Sequence, residues 1–503
     1  MPRSASLHFD VCIIGCGPGG FAAAMRALDL GKHVCIVEKA QVGGAGVMWG
    51  ALASKTMWEL AKDFDVACKT GRGYQAESIA VDYGALRNTV LTAIREKQEQ
   101  MRSQLKAFSP EKWNGPGSIT FKRGEGTFIS PHRLALICGG RLQEEISADF
   151  FLIATGAKPR SLRDVAVDQK RVLDSDGILR LKSFPRRLMI VGAGIVGCEY
   201  ATIFSNFGQT EVVILDHQDQ ILPFEDPDIS HFVSDHLRQN NVNIMHAARL
   251  CHIESKSDGL EIEICQSDTR FRFIKVDALL LSIGRVPNLS GLGLEKAGIK
   301  VAENGRLPAD NNCRICDHIY AAGDVTAHPA LVNLAETEGR YAVKHMYGVN
   351  RWPLRYDNMS TVMFFSPPVA AVGLNEKQCR EQKIAYRVAS YANCLVNRAI
   401  AMRSVDGFVK IIVGDDEEQK ILGMRAAGPQ ASSTIMTVAM LMDQDKGIRD
   451  VLKSVHPHPT MSEGIQECLR LLVNKSIYKP HAFPEKIKVR SWHPEPGPDP
   501  GAA

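Results

Sequence analysis

The sequence has no apolar run approaching the roughly 18 residues that a membrane-spanning helix needs. Nor does it carry a strong charge of either sign. Sixty Lys and Arg against 56 Asp and Glu leave a formal net charge of +4 over 503 residues, too little to hold a nucleic-acid backbone. Metal-ligand spacing is missing as well. His246 and His328 stand alone and read as surface or packing residues. Cys313-x-x-Cys316 has no second pair to complete a tetrahedral set, and it precedes a strand instead of opening a helix that would lower a thiol pKa. There is no short-period repeat. Met1 to His8 run straight into a buried-type strand, leaving no room for a signal-type stretch. The thirteen cysteines are scattered, several inside apolar strands or beside glycine turns, so reduced thiols are expected and not a disulfide framework. From these absences a cytoplasmic protein with no membrane span, metal or nucleic-acid partner is the expectation. At roughly 100–200 residues per domain, the length allows three to four domains.

Two glycine-rich turns carry the positive signal. Phe9 to Ile14 is a short apolar strand, followed by Gly15-Cys16-Gly17-Pro18-Gly19-Gly20, a helix-like stretch, and a second strand from His33 that ends at Glu38. In such a βαβ unit Gly15 permits the tight turn, Gly17 lets the backbone approach a pyrophosphate, and Gly20 lets the helix pack on the strand. Glu38 falls where a carboxylate meets ribose hydroxyls. The pattern returns at Arg187 to Val191, with Gly192, Gly194 and Gly197, a helical stretch through Phe207, and a strand ending at Asp216. A carboxylate there favours NAD(H), because it would repel a 2′-phosphate; His217 and Arg249 are the nearby cations that would offset it.

Ile153-Ala154-Thr155-Gly156 and Ala322-Gly323-Asp324 resemble the ATG and GD motifs of flavoproteins with two dinucleotide sites. Ser282-Ile283-Gly284-Arg285-Val286-Pro287-Asn288 is similar to their GRxPN signature. Together with the fingerprints and the His456-Pro457-His458-Pro459-Thr460-Met461-Ser462-Glu463 segment, they resemble the pyridine nucleotide–disulfide oxidoreductase family from Phe9 to about Tyr478. The resemblance implies an α/β fold: two nested dinucleotide-binding, Rossmann-like domains and a C-terminal α+β dimerisation domain. The expected boundaries are 1–160 and 286–355 for the FAD-binding and central parts, 161–285 for the NAD domain, 356–480 for dimerisation, and 481–503 for a tail. FAD and NAD(H) are the implied cofactors and a homodimer the implied assembly. Thr155, Gly156, Gly284 and Asp324 join the cofactor-binding residues.

The resemblance also exposes a gap. Where the family carries its redox cysteines, this chain has Gly46 and Ala51, within Gly43-Gly44-Ala45-Gly46-Val47-Met48-Trp49-Gly50-Ala51-Leu52-Ala53-Ser54-Lys55. Neither side chain can take part in thiol–disulfide exchange. Trp49-Gly50 is similar to soluble pyridine nucleotide transhydrogenases. The family implies that Lys55 and Glu199 sit near flavin N5, and that His458 is an acid/base oriented by Glu463. Without thiols, His458 and Glu463 form either an interface hydrogen-bond pair or a new proton donor. The expected activity is hydride transfer from NADH to FAD and on to an unidentified non-disulfide acceptor, in a transhydrogenase-like manner. An NADH:quinone or electron-carrier reductase and a non-catalytic flavoprotein are the alternatives.

Overall fold

A computed structural model describes residues 7–70, 73, 78–266 and 270–495, in two compact units. The first comprises 1–192, 252–262 and 273–354, and the second 193–251, 263–272 and 355–503.

In the first unit the path Arg314–Cys316, Ile319–Ala321, Arg141–Ile153, Leu7–Ile14, His33–Glu38, Ser118–Arg123 runs across one sheet. The four neighbouring pairs from Ile319–Ala321 onward are parallel. Parallel strands covered on both faces read as nearly continuous apolar runs. Val11, Cys12, Ile13, Val34, Cys35 and Ile36 are accordingly fully buried. The helix Pro18–Asp29 opens directly after the first strand, with Gly17 as its N-cap and Pro18 at its first position, where a missing N–H costs nothing. Two helices follow farther along, Leu52–Cys68 and Tyr83–Ala107. Asp82 caps the second by accepting from the Gly84 and Ala85 N–H groups. A separate parallel set, Val172–Asp174, Ala278–Leu281 and Arg187–Val191, belongs to the same unit.

The second unit contains the helix Ile195–Asn206, the parallel pair Glu211–Leu215 and Asn243–Met245, and an antiparallel sheet. The sheet order is Thr361–Met363, Val369–Gly373, Ile421–Ala427, Phe408–Gly414, Tyr386–Ala392, Ile487–Trp492. The helices Ala431–Asp443 and Glu463–Leu472 share its apolar core through Ile435, Val438, Ile465 and Leu469. Ile487–Trp492 pairs along Tyr386–Ala392, so these residues, assigned above to a tail, are part of a sheet. The proline-rich end from residue 496 lies outside the described residues.

Charge is buried in this unit. Lys410, with no exposed surface, lies 2.7 Å from carboxylate oxygens of Asp226 and Asp228 and 3.3 Å from Glu376. Arg425 bonds Glu225 at 2.8 Å, both buried. The cysteine expectation needs one correction: Cys251 and Cys265 form a disulfide, with Cα atoms 6.0 Å apart. Their strands, Ala248–Lys256 and Gly259–Gln266, bring together two residues fourteen positions apart, which spacing alone does not reveal. Among the described residues no helix is long and apolar enough to cross a membrane.

Candidate functional site

Each glycine of the first fingerprint is required for a different reason. Gly15 has φ +106°, and a Cβ there would stand 2.4 Å from the Ala154 carbonyl oxygen. At Gly20 a Cβ would stand 2.0 Å from the Gly15 carbonyl oxygen, so the helix can approach the turn only without a side chain. Around Gly17 a Cβ would meet nothing within 4 Å, leaving open space at a helix N-terminus of the kind that receives phosphate. The buried Glu38 carboxylate accepts from the Cys16 N–H and from the Ala40 N–H, each at 2.7 Å. With about four lone-pair sites on a carboxylate, capacity remains for ribose hydroxyls.

The surrounding residues fit a dinucleotide. Thr155 Oγ1 is buried with no hydrogen-bond partner among the described residues, a state that normally calls for explanation. Gly156 has φ +67° and nothing within 4 Å of a Cβ position. Asp324 is half-buried; burial pushes its carboxyl up, against the pull of Arg285 and Arg306. Arg285 in turn bonds Asp176 at 2.7 Å and the Ala157 carbonyl at 2.6 Å.

Two residues here escape sequence reasoning. Glu338, fully buried, accepts from the Gly323 N–H at 2.6 Å and bonds His328 Nδ1 at 2.9 Å. It fastens the turn that carries Asp324, and His328 acquires a definite partner. Gly339 lies where a Cβ would be 2.2 Å from the Gly19 carbonyl oxygen, letting helix Val332–Met346 press against helix Pro18–Asp29. The small residues Ala335 and Gly339, one helical turn apart, were the available signal.

The segment after Glu38 packs onto this fingerprint. The Gly43 N–H donates to the Cys16 carbonyl at 2.8 Å, and a Cβ on Gly44 would sit 3.1 Å from Gly17 Cα. At Gly46 a Cβ would stand 2.5 Å from Pro18 Cγ and 3.3 Å from Val332 Cγ2. Ala51 is the N-cap of helix Leu52–Cys68, and the Lys55 N–H donates to its carbonyl at 3.0 Å. Lys55 is therefore in the first turn of that helix, half-buried. Burial pushes the Cys16 thiol up to about 12, with the Glu38 charge adding to the effect.

In the first unit Gly192, with φ +102°, would place a Cβ 2.7 Å from the Ser282 carbonyl oxygen. Gly284, φ +96°, leaves open space at its Cβ position and accepts from the Arg160 N–H at 2.9 Å. In the second unit Gly194 is the N-cap of helix Ile195–Asn206, again with nothing within 4 Å of a Cβ position. Gly197 and Glu199 lie buried in its first turns. The Asp216 carboxylate is buried; one oxygen accepts from the Ala193 N–H and the other from the Gln218 N–H at 2.8 Å, with His217 Nδ1 at 3.4 Å. Glu199 Oε1 accepts from the Phe364 N–H at 3.0 Å. Cys198 is fully buried, and burial followed by the charges of Asp216 and Glu199 keeps its thiol protonated.

His458 and Glu463 are brought together in the second unit: His458 Nδ1 lies 2.7 Å from Glu463 Oε1, while Glu463 Oε2 accepts from the Thr460 N–H at 3.0 Å. The imidazole is 60% exposed. A carboxylate on Nδ1 fixes the ring and leaves Nε2 to exchange a proton. Cys313 is buried, and Cys316 Sγ lies 4.0 Å from His318 Nδ1. No group of three or more metal-ligating side chains forms among the described residues.

Residues 9–339 match the family model for pyridine nucleotide-disulphide oxidoreductase, and residues 359–469 match the dimerisation domain of the same family. That second match supports a homodimer. The exposed apolar residues Met436, Met440 and Val455 fall within it. The chain is 30% identical over 476 residues to a dihydrolipoyl dehydrogenase of Chlamydia muridarum, covering 94% of this chain and 98% of that one. It is also 30% identical over 482 residues to the mitochondrial dihydrolipoyl dehydrogenase 1 of Arabidopsis thaliana, covering 94% and 92%. Among solved structures, LpdA from Mycobacterium tuberculosis superposes with a TM-score of 0.83 at 26% identity, covering 93% of this chain and 99% of that one. The Cu(II) complex of the HOCl-induced flavoprotein disulfide reductase RclA from Escherichia coli gives 0.81 at 26%, covering 94% and 100%.

Proposed function

Because the chain belongs to the pyridine nucleotide-disulphide oxidoreductase family, whose members bind FAD and NAD(P)H, we propose that it is an FAD-dependent NADH oxidoreductase whose acceptor is not a disulfide. One observation carries the reading: positions 46 and 51 hold no sulfur, and a side chain at 46 would run into Pro18. Disulfide exchange needs a thiolate. Cys16 and Cys198, the thiols beside the two fingerprints, are held protonated by burial and neighbouring carboxylates. The Cys251–Cys265 bridge lies outside this segment.

FAD, when bound, supplies the two-electron carrier between nicotinamide and acceptor. The chain's own residues bind, orient and move protons. Gly15, Gly17, Gly20, Glu38, Thr155, Gly156 and Asp324 hold FAD, and Gly192, Gly194, Gly197, Gly284 and Asp216 hold NADH. Lys55 supplies positive charge where hydride is handed over, and fixed charge of that kind acts without reorganisation during the step. Glu199 keeps the carboxylate role that the family resemblance gives it. His458, oriented by Glu463, gives or takes the proton at Nε2.

The acceptor in the leading version is another nicotinamide, as in a transhydrogenase. Asp216 favours a second version. Its carboxylate is buried and fixed through both oxygens, and a 2′-phosphate beside it would meet a like charge. A quinone or small electron carrier, protonated by His458, avoids that conflict. The test is stopped-flow reoxidation of the NADH-reduced holoprotein. Fast reoxidation by a thionicotinamide nucleotide supports the first version, and by benzoquinone alone the second. Rapid turnover with lipoamide or glutathione disulfide would overturn both.

A further inference from the structure

We propose that Cys251 and Cys265 are a reversible redox pair, exchanging with low-molecular-weight thiols and disulfides, whose bridged state favours nicotinamide nucleotide binding at the Asp216 loop. The proposal rests on the reading of Asp216 as the ribose ligand. Cys251 is exposed and Cys265 partly so, which gives external thiols the access that exchange requires. The first of their strands, Ala248–Lys256, begins beside the Asp216 loop. The Asp216 N–H donates to the Met245 carbonyl at 3.0 Å, and the Ala248 N–H donates back to the Asp216 carbonyl at 2.9 Å. The Ala247 N–H donates to the Gln218 carbonyl at 2.9 Å, so residues 216–218 lie fastened to 245–248, three residues short of Cys251. From the other side, Gln266, adjacent to Cys265, donates through Nε2 to the His246 carbonyl at 3.4 Å. The disulfide and this bond close a ring through 246–251 and 265–266. Opening the bridge removes the covalent half of that ring and loosens the strand on which Asp216 leans.

The exchange balances as two electrons. An external thiolate attacks Cys251 Sγ and releases the Cys265 thiolate, forming a mixed disulfide. A second external thiolate attacks the external sulfur of that mixed disulfide and releases the Cys251 thiolate. The net result is one external disulfide and two protonated protein thiols, and an oxidised low-molecular-weight thiol reverses it.

The test uses the holoprotein equilibrated with either dithiothreitol or oxidised glutathione, then alkylated with iodoacetamide and mapped by peptide mass. After oxidised glutathione, Cys251 and Cys265 are expected joined and unalkylated; after dithiothreitol both are expected alkylated. Cys68, exposed and free, is the alkylation control after dithiothreitol. Anaerobic NADH titration should then give about fivefold weaker binding in the reduced sample, at the low end of typical coupling between sites. The double variant C251S/C265S should hold the weaker value under both treatments. Alkylation of both cysteines after oxidised glutathione, absence of alkylation after dithiothreitol, or equal NADH affinity in the two samples overturns the proposal. Asp216→Ala separates the two readings: weaker binding in that variant, together with equal NADH affinity of the oxidised and reduced wild type, sinks the redox pair alone. Unchanged binding in Asp216→Ala sinks the ribose assignment and the coupling with it.

Discussion

The two glycine fingerprints repeat one design down to backbone angles. Gly15 and Gly192 have φ of +106° and +102°, and each faces a carbonyl of a later segment, Ala154 in one case and Ser282 in the other. Gly17 and Gly194 cap their helices at φ −74° and −75°, with open space at both Cβ positions. Glu38 and Asp216 each accept the N–H of the residue after the first glycine. The difference lies in what fastens each region. The first is pressed between backbones, with Gly20 on Gly15 and Gly339 on Gly19. In the second unit Asp226, at the N-cap of helix Pro227–Gln239, accepts from the Glu376 and Lys377 N–H groups at 3.0 Å each and from buried Lys410. One region relies on the absence of side chains and the other on buried charge.

The contrast breaks most visibly at Lys410. Lys410→Met leaves the buried carboxylate of Asp226 without its cation, and unfolding titrations should show a loss of about 3–5 kcal/mol. Burial opposes the Asp226 charge, but Lys410 and the two backbone donors outweigh it and hold its carboxyl below the ordinary value. A depressed carboxyl contributes stability above its unfolded pKa of about 3.9 and loses it as pH falls through the lower folded value. Wild type should therefore lose stability on acidification below about pH 4, and Lys410→Met should show a shallower acid dependence.

At the first fingerprint, Gly20→Ala forces a Cβ into the Gly15 carbonyl. It should cost up to about 3 kcal/mol and yield protein without flavin. Gly17→Ala adds its methyl to open space, so the flavin-free chain should stay within about 1 kcal/mol of wild type while flavin content falls. Equal thermal shifts in the two variants would show that the glycines do not divide their work in this way. Next in size, Lys55→Met should slow the NADH-dependent step about 100-fold in stopped flow, the scale of losing one oriented stabilising group. Flavin content should not change.

Much of this was legible because local chemistry dictates it. A strand, a glycine turn and an acid closing the next strand occur as one contiguous pattern, and Gly15, Gly17, Gly20 and Glu38 sit as that pattern requires. The His458–Glu463 contact likewise spans only five residues. What was not legible depends on distant partners. Lys410, in Phe408-Val409-Lys410-Ile411, reads as the solvated position of an alternating strand. It is buried because Asp226, Asp228 and Glu376 reach it from far along the chain. Glu338 looks like an ordinary charged helix residue until the Gly323 N–H is brought to it. Cys251 and Cys265 are adjacent only once their strands are formed.

The smallest expected effect sharpens the comparison of the two acids. Glu38 and Asp216 make the same bond to the turn, yet only Asp216 bears on the choice between NADH and NADPH. Asp216→Ser removes the charge while keeping an oxygen that can accept from the Ala193 N–H. Loss of the like-charge contact with a 2′-phosphate is worth about 1 kcal/mol or more in a partly screened setting. The ratio of kcat/KM for NADH over NADPH should therefore fall about tenfold, mainly through better use of NADPH, with flavin content unchanged. His217, 3.4 Å from Asp216 Oδ1, then stands beside the 2′-phosphate as a hydrogen-bond partner. A variant whose NADH/NADPH ratio does not move would mean that Asp216 serves only to hold the turn, as one part of its bonding already does.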